Sequence, residues 1–203
     1  MYRRSFLQIS ISILLFICTI SAQAQDMDVY QKKLFLNKGD TLPYRIMYPP
    51  DFDPSGKYPL LLFLHGAGER GNDNEKQLVH GASFFADPSN RKNYPAIVIF
   101  PQCPEGEWWA RMEDSEDLAG NRILIFPGKG SPTPSMRLVM GLLDKLISES
   151  YVDADRVYLG GLSMGGMGSF DLLTLRPKTF AAAFPICGGG NPKRARKISR
   201  NRS

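Results

Sequence analysis

The stretch that decides the fold is Arg156-Val-Tyr-Leu-Gly-Gly-Leu-Ser-Met-Gly-Gly-Met-Gly-Ser-Phe170. Its first residues are typical of a buried strand, and the residues after Ser163 favour a helix. The turn between them has the G-x-S-x-G pattern of a nucleophilic serine on a sharp strand-to-helix turn. Such a turn strains the backbone, and the glycines at 161 and 165 remove side chains that would collide. We therefore predict that Ser163 is a nucleophile; the alternative is a glycine-rich turn with a bystander serine.

The remaining sequence alternates strand-like and helix-like segments. Six segments read as strands: residues 33–37, 44–48, 58–65, 96–100, 156–160 and 180–186. Helices are expected over residues 75–81, from Pro134 with Thr133 as its cap, and over residues 164–175. Residues 102–133 look irregular. This alternation predicts a mostly parallel α/β sheet with flanking helices, whose active site lies beyond the carboxyl ends of the strands.

A second glycine-rich loop, Leu64-His65-Gly-Ala-Gly-Glu-Arg-Gly71, directly follows a buried strand. Acyl transfer needs two backbone N–H groups aimed at the oxyanion, one just after the serine and one from such an earlier loop. Met164 and Ala67 are the candidates for these donors. We expect Glu69 and Arg70 to form an ion pair that stabilises the loop; a substrate clamp is the alternative.

A serine nucleophile needs a base, and the chain has only two histidines, His65 and His80. A histidine that opens a His-Gly motif usually braces its loop by hydrogen bonds, so we favour that role for His65 over the role of base. His80 lies near the end of a predicted helix and is a weaker candidate. Asp171 lies inside the helix that follows Ser163, so it faces the wrong way to orient a distant base. The sequence therefore offers no clear acid or base.

The motifs together resemble those of the secreted α/β-hydrolase esterases, namely the feruloyl-esterase, polyhydroxybutyrate-depolymerase and dienelactone-hydrolase-like enzymes of the phospholipase/carboxylesterase group. The resemblance spans residues 30–192. It is carried by four motifs: residues 65–71, Pro101-Gln102-Cys103, residues 153–166 and residues 180–190. It implies a carboxylic-ester hydrolase with a Ser-Asp-His triad, Ser163 as nucleophile, and neither cofactor nor metal.

The resemblance also implies that aromatic side chains near the site stack on a sugar or phenolic acyl group. Trp108 and Trp109 lie in a loop at the same end of the predicted sheet. We name them as candidate substrate-binding residues; the alternative is that they plug the edge of the core.

The sequence departs from this group after residue 190. Members of the group place the Asp and His of the triad after further strands, about eight strands in all. Residues 193–203 are instead a basic tail without apolar periodicity, which we expect to be disordered. We interpret residues 25–192 as an incomplete α/β-hydrolase domain whose last strands are missing, from a truncated or frame-shifted product. Alternatives are a basic targeting arm or a natural short pseudo-enzyme.

The N-terminus predicts export. Arg3 and Arg4 precede an apolar run over residues 6–20 and a small-x-small site at 22–24, which is the pattern of a signal peptide covering residues 1–24. Secreted or periplasmic location follows, with no membrane contact after cleavage. The basic residues cluster at the two ends, so the net charge of +5 does not predict nucleic-acid binding. In such an oxidising compartment, Cys103 and Cys187 can form a disulfide or remain free thiols.

The sequence thus predicts a serine hydrolase that acts on small-molecule or polysaccharide-linked carboxylic esters, and that is nearly inactive as this chain alone. Two other functions stay open: a non-catalytic binding protein on a hydrolase scaffold, and a peptidase like prolyl oligopeptidase.

Overall fold

The structure is a computed structural model that describes residues 27–199. The predicted signal peptide lies outside these residues. The strands are β1 Gln31–Asn37, β2 Asp40–Met47, β3 Tyr58–Leu64, β4 Ile97–Pro101, β5 Glu113–Glu116, β6 Arg122–Ile125, β7 Val152–Leu162 and β8 Ala182–Ile186. The helices are α1 Ala82–Ala86, α2 Pro88–Asn93, α3 Pro134–Ile147, α4 Met164–Leu175 and α5 Ala195–Ser199. Short 3₁₀ turns occur at Met27–Val29, Ala67–Glu69, Lys76–Leu78 and Pro192–Arg194.

Six of these strands form one twisted sheet in the order β1-β2-β4-β3-β7-β8. The strands β4, β3, β7 and β8 are parallel, while β1 and β2 add to one edge as antiparallel strands. All six correspond to predicted strands, and the mostly parallel α/β class is confirmed. In the described residues, β8 is the other edge of the sheet.

The central parallel strands β3 and β4 are buried because their sequences are continuous apolar runs. Leu60, Leu62 and Leu64 point to one face and pack with α3 and α4. Leu61 and Phe63 point to the opposite face and pack with α1. A strand that is apolar on both sides fits only between two layers, which explains the three-layer arrangement.

The helix that precedes β7 begins as the sequence indicates. Pro134 is its first residue, and the Thr133 hydroxyl accepts a hydrogen bond from the Met136 N–H at 3.1 Å. The Glu107 carboxylate also accepts from the Ser135 N–H, so a negative charge lies at the helix N-terminus. The helix predicted over residues 75–81 is only the 3₁₀ turn Lys76–Leu78.

Two features of the structure were not predicted. Residues 102–133, expected to be irregular, contain the antiparallel hairpin β5–β6. The basic tail, expected to be disordered, forms a 3₁₀ turn and the short helix α5 over Pro192–Ser199. Arg194 in this tail makes an ion pair with Asp171 of α4. A mostly buried carboxylate and its partner cation therefore anchor the tail on the domain.

Candidate active site

Ser163 lies between β7 and α4, at the carboxyl end of the central sheet. Its backbone has φ 54° and ψ −110°, a conformation that L-residues rarely adopt. The Ser163 N–H donates to the Ile186 carbonyl at 2.8 Å, and its carbonyl accepts from the Met167 N–H at 3.0 Å. The side chain is exposed. The fold therefore holds this serine in a strained turn with its hydroxyl accessible to a substrate.

The glycines on either side of Ser163 are required by close backbone contacts. A methyl group on Gly161 would overlap the carbonyl of Gly165. A methyl group on Gly165 would overlap the carbonyl oxygen of Leu64, the last residue of β3. The steric role predicted for both glycines is thus confirmed, because α4 starts in direct contact with the end of the neighbouring strand.

The loop after β3 lies beside the serine. A methyl group on Gly66 would lie 3.8 Å from the Ser163 Cβ. Ala67 starts a 3₁₀ turn and Met164 starts α4, and the first N–H groups of a helix have no partner within it. The structure brings together the two loops that hold the candidate oxyanion donors. The oxyanion role of Ala67 and Met164 itself stays a prediction.

His65 braces this loop and is not available as a base. Its Nδ1–H donates to the Gly66 carbonyl at 2.6 Å, and its Nε2 accepts from the Cys103 N–H at 2.9 Å. The side chain is 99% buried, and this burial lowers its pKa to about 4. Both ring nitrogens are therefore occupied and the ring is neutral at pH 7. The bracing role favoured by the sequence is confirmed.

His80 is half-exposed, and its Nε2 lies 3.5 Å from the Glu69 Oε1. Glu69 therefore pairs with His80, and the predicted ion pair between Glu69 and Arg70 is wrong. Arg70 instead donates to the carbonyls of Ala67 at 2.9 Å and Glu107 at 3.3 Å. Ala67 and Glu107 lie in two different loops at this end of the sheet. The side chain of Arg70 therefore connects these two loops.

The two neighbouring tryptophans have different environments. Trp109 has no exposed surface, and its Nε1–H donates to the His65 carbonyl at 3.0 Å. Its predicted contact with substrate is therefore wrong, because the ring belongs to the core. Trp108 is half-buried, and the Arg70 guanidinium stacks 5.0 Å above its ring. Among the two candidates, Trp108 is the one that reaches the surface.

A buried polar residue directly after β4, which the sequence did not mark as functional, supports this end of the sheet. Gln102 is fully buried; its Oε1 accepts from the Asn74 N–H at 2.7 Å and its Nε2 donates to the Asp73 carboxylate at 2.8 Å. The only signal was its position in Pro101-Gln102-Cys103, directly after a buried strand. The same carboxylate accepts from backbone N–H groups, which hold the pKa of Asp73 well below its ordinary value.

The disulfide that the sequence left open between Cys103 and Cys187 is absent. Cys103 is buried and Cys187 is exposed, and both are free thiols, so they make no disulfide in this structure. Burial raises the pKa of the Cys103 thiol to about 12, which keeps it unreactive. Asp171 is bound to Arg194 and does not orient a histidine. Residues 27–199 contain no cluster of three or more His, Cys, Asp or Glu suited to a metal ion, and none of their helices is long and apolar enough to span a bilayer.

Comparison with known proteins finds similarity to esterases and to a dipeptidyl-peptidase. The sequence model of the prolyl oligopeptidase family matches residues 136–195. A thermostable esterase of known structure is 36% identical, with a TM-score of 0.72 over 84% of this chain and 44% of its own. The putative esterase NocK of Nocardia uniformis is 28% identical over 74% of this chain and 39% of its own length. Dipeptidyl-peptidase 5 of Porphyromonas gingivalis is 26% identical over 70% of this chain and 19% of its own.

The chain therefore spans less than half of the length of each of these relatives. The part matched by the family model, residues 136–195, includes the strained serine turn. The sheet topology and the structural similarity show an α/β-hydrolase fold, similar to that of the thermostable esterase.

Proposed function

We propose that this chain carries the nucleophile and the oxyanion hole of a carboxylic-ester hydrolase. The observation that carries the proposal is the strained, exposed Ser163, which lies directly beside the loop of Gly66 and Ala67. A rarely adopted backbone conformation is retained at a site where it serves a mechanism. The esterase relatives support the same chemistry.

In this reaction the Ser163 Oγ attacks the ester carbonyl carbon. The Ala67 and Met164 N–H groups bind the oxygen as it becomes negative, and each such donor is worth about 10²–10³ in rate. The alcohol leaves, an acyl-serine forms, and water then releases the acid. The attack requires that a base take the proton from Oγ and later deliver it to the departing alcohol.

In residues 27–199, neither histidine makes a hydrogen bond with Ser163. Both ring nitrogens of His65 are in hydrogen bonds with Gly66 and Cys103, and His80 lies beside Glu69. The sequence holds no third histidine. We therefore propose that the base and the acid that orients it come from a further polypeptide segment, and that this chain alone turns over slowly. In a serine protease, removal of the histidine lowers kcat by about 10⁶.

The substrate that fits best is a small ester or an acyl ester attached to a polysaccharide. Ser163 is exposed to solvent. An open site can take an acyl group that hangs from a polymer. The half-buried ring of Trp108 is the aromatic surface that such an acyl group could contact. Export through the predicted signal peptide is consistent with a polymeric substrate outside the cell.

Peptide hydrolysis is the second candidate. It is favoured by the match of residues 136–195 to the prolyl oligopeptidase family and by the similarity to a dipeptidyl-peptidase. Both activities use the same serine turn and differ in the leaving group. Parallel assays with p-nitrophenyl acetate and a dipeptide p-nitroanilide distinguish them.

Chemical rescue tests the nucleophile and the missing base together. We expect slow p-nitrophenyl acetate hydrolysis by the full chain, and a Ser163-dependent increase when imidazole is added as a diffusible base. Ser163→Ala sets the background from imidazole itself, and Ser115→Ala, at an exposed serine of the hairpin, is the matched control.

Two outcomes contradict the proposal. Fast hydrolysis without imidazole that Ser163→Ala abolishes would show that the chain already has a base. A rescue that is identical in the parent chain and in Ser163→Ala would show that Ser163 is not a nucleophile and would favour a binding protein on a hydrolase scaffold.

A further inference from the structure

The face of the sheet opposite α3 and α4 carries an apolar groove. The short helices α1 and α2 cover only part of this face, and a cavity of about 540 Å³ lies between them and the strands. Its apolar lining comes from both layers: Met47, Leu61, Phe85, Val98, Tyr158 and Phe184. We call this cavity the sheet groove.

Large apolar side chains surround the sheet groove without being covered. Phe84 is 64% exposed, Tyr94 is 76% exposed and Phe184 is 40% exposed in the described residues. Single exposed apolar residues are ordinary on a protein surface, but three aromatic rings around one apolar cavity mark a binding surface.

The first described residues lie on the same face. Met27 and Val29 pack against the apolar cluster that includes Leu61 and Val98. The Tyr30 ring lies edge-on to Phe100, and its hydroxyl donates to the Ala82 carbonyl at 2.9 Å. The chain thus enters the described part of the molecule beside α1, the helix that contributes Phe84 and Phe85 to the sheet groove.

The segment that precedes this point has matching chemistry. Residues 6–20 are predominantly apolar, and no charged residue occurs between Arg4 and Asp26. A chain spans at most about 3.3–3.6 Å per residue, so the six residues 21–26 can bridge roughly 20 Å. This reach is comparable to the width of a few strands. The apolar run can therefore extend from the entry point across the groove.

We propose that, in the unprocessed chain, the apolar segment of residues 6–20 binds in the sheet groove and covers the exposed aromatic rings. Removal of residues 1–24 then uncovers the groove. The leader in this way acts as an intramolecular cover for the apolar face of the domain until it is cleaved. This inference is independent of the chemistry at Ser163.

Site-specific photo-crosslinking of the full chain tests the proposal. The probe is p-benzoylphenylalanine in place of Phe84, and mass spectrometry identifies the crosslinked peptide. We expect an intramolecular crosslink to residues 6–20 whose yield does not change with protein concentration. The same probe in place of Leu118, a fully exposed residue outside the lining of the groove, should give no such crosslink.

A change within the leader leaves the described fold untouched and isolates the contact. Leu15→Asp should reduce the crosslink from position 84 at least several-fold and raise the fluorescence of a dye that binds apolar surface. A crosslink to residues 27–199 of another molecule, growing with concentration, would assign the groove to a second copy and overturn the proposal. So would absence of any crosslink to residues 6–20, or a yield that Leu15→Asp does not change.

Discussion

The two sides of Ser163 are constructed differently. On the β3 side, His65 and Trp109 are buried, and the Trp109 Nε1–H donates a hydrogen bond to the His65 carbonyl. Gly165 lies in close contact with Leu64, the last residue of β3. On the β8 side, Phe184 and Ile186 remain 40% and 43% exposed. The Ser163 N–H donates to the Ile186 carbonyl on that side, and Gly166 lies in close backbone contact with Gly188.

This difference indicates which contacts hold Ser163 in its position. The candidate oxyanion loop belongs to the buried side, whereas the serine turn has close backbone contacts on both sides. His65, one of the two histidines of the chain, lies on this same side. Its Nε2 accepts a hydrogen bond from the Cys103 N–H, so this ring has a structural role. We therefore expect changes on the β3 side to cost much more stability than changes on the β8 side.

The largest effect is expected for Gly165→Ala. The new methyl group would overlap the Leu64 carbonyl, a backbone atom that cannot move without displacing β3. Overpacking against a rigid neighbour costs typically about 1–3 kcal/mol and sometimes more, and we expect the upper part of that range. Gly68→Ala is the matched control, because it lies in the adjacent loop with open space around it. Urea unfolding of the full chain measures both; equal losses would contradict the close contact at Gly165.

A pH-dependent loss of stability should follow from His65. Burial lowers its pKa from 6.5 to about 4, so the unfolded chain binds a proton between these values and the folded chain does not. Stability from this group is complete above pH 6.5 and is lost as the pH falls toward 4, by about 3 kcal/mol in total.

The variant His65→Gln separates this titration from that of the carboxylates. It should lower stability at neutral pH because it disturbs the bridge between Gly66 and Cys103. It should also flatten the dependence on pH between 6.5 and 4.5. Urea midpoints measured across this pH range test the prediction. If the midpoint of the variant falls with pH as steeply as that of the parent chain, His65 is not the source of the pH dependence.

The sequence predicted those parts of the molecule whose signal is local. Strand-like segments, several of them continuous apolar runs, predicted the six sheet strands, and the pattern around Ser163 predicted the strained turn. The hairpin β5–β6 was missed because Glu113–Glu116 is exposed along its whole length and shows no apolar alternation. Trp108 and Trp109 are adjacent, yet only the fold places one in the core. The pairing of Glu69 with His80 depends on the path of a loop, which sequence spacing does not specify.

A smaller effect is expected from the strain at the serine itself. A non-glycine residue in such a conformation costs about 1–3 kcal/mol. Ser163→Gly should therefore be more stable than Ser163→Ala by about 1 kcal/mol, since glycine accepts the positive φ and alanine keeps the Cβ. Both variants lack the hydroxyl group, so its loss does not contribute to the difference in stability between them. Equal urea midpoints would indicate that the turn stores no strain.

The smallest change in folding stability is expected at the β8 edge. Ile186→Lys lies on the exposed side of β8, so its effect on the free energy of unfolding should stay within about 0.5 kcal/mol. Its effect on association should be larger, because β8 carries no charged residue and an uncharged edge strand invites pairing with another chain. Leu36→Lys on β1 is the control, since that edge already carries Lys32 and Lys33. Light scattering of the full chain should decrease for Ile186→Lys and change little for Leu36→Lys; if both lysines act equally, association does not depend on the β8 edge.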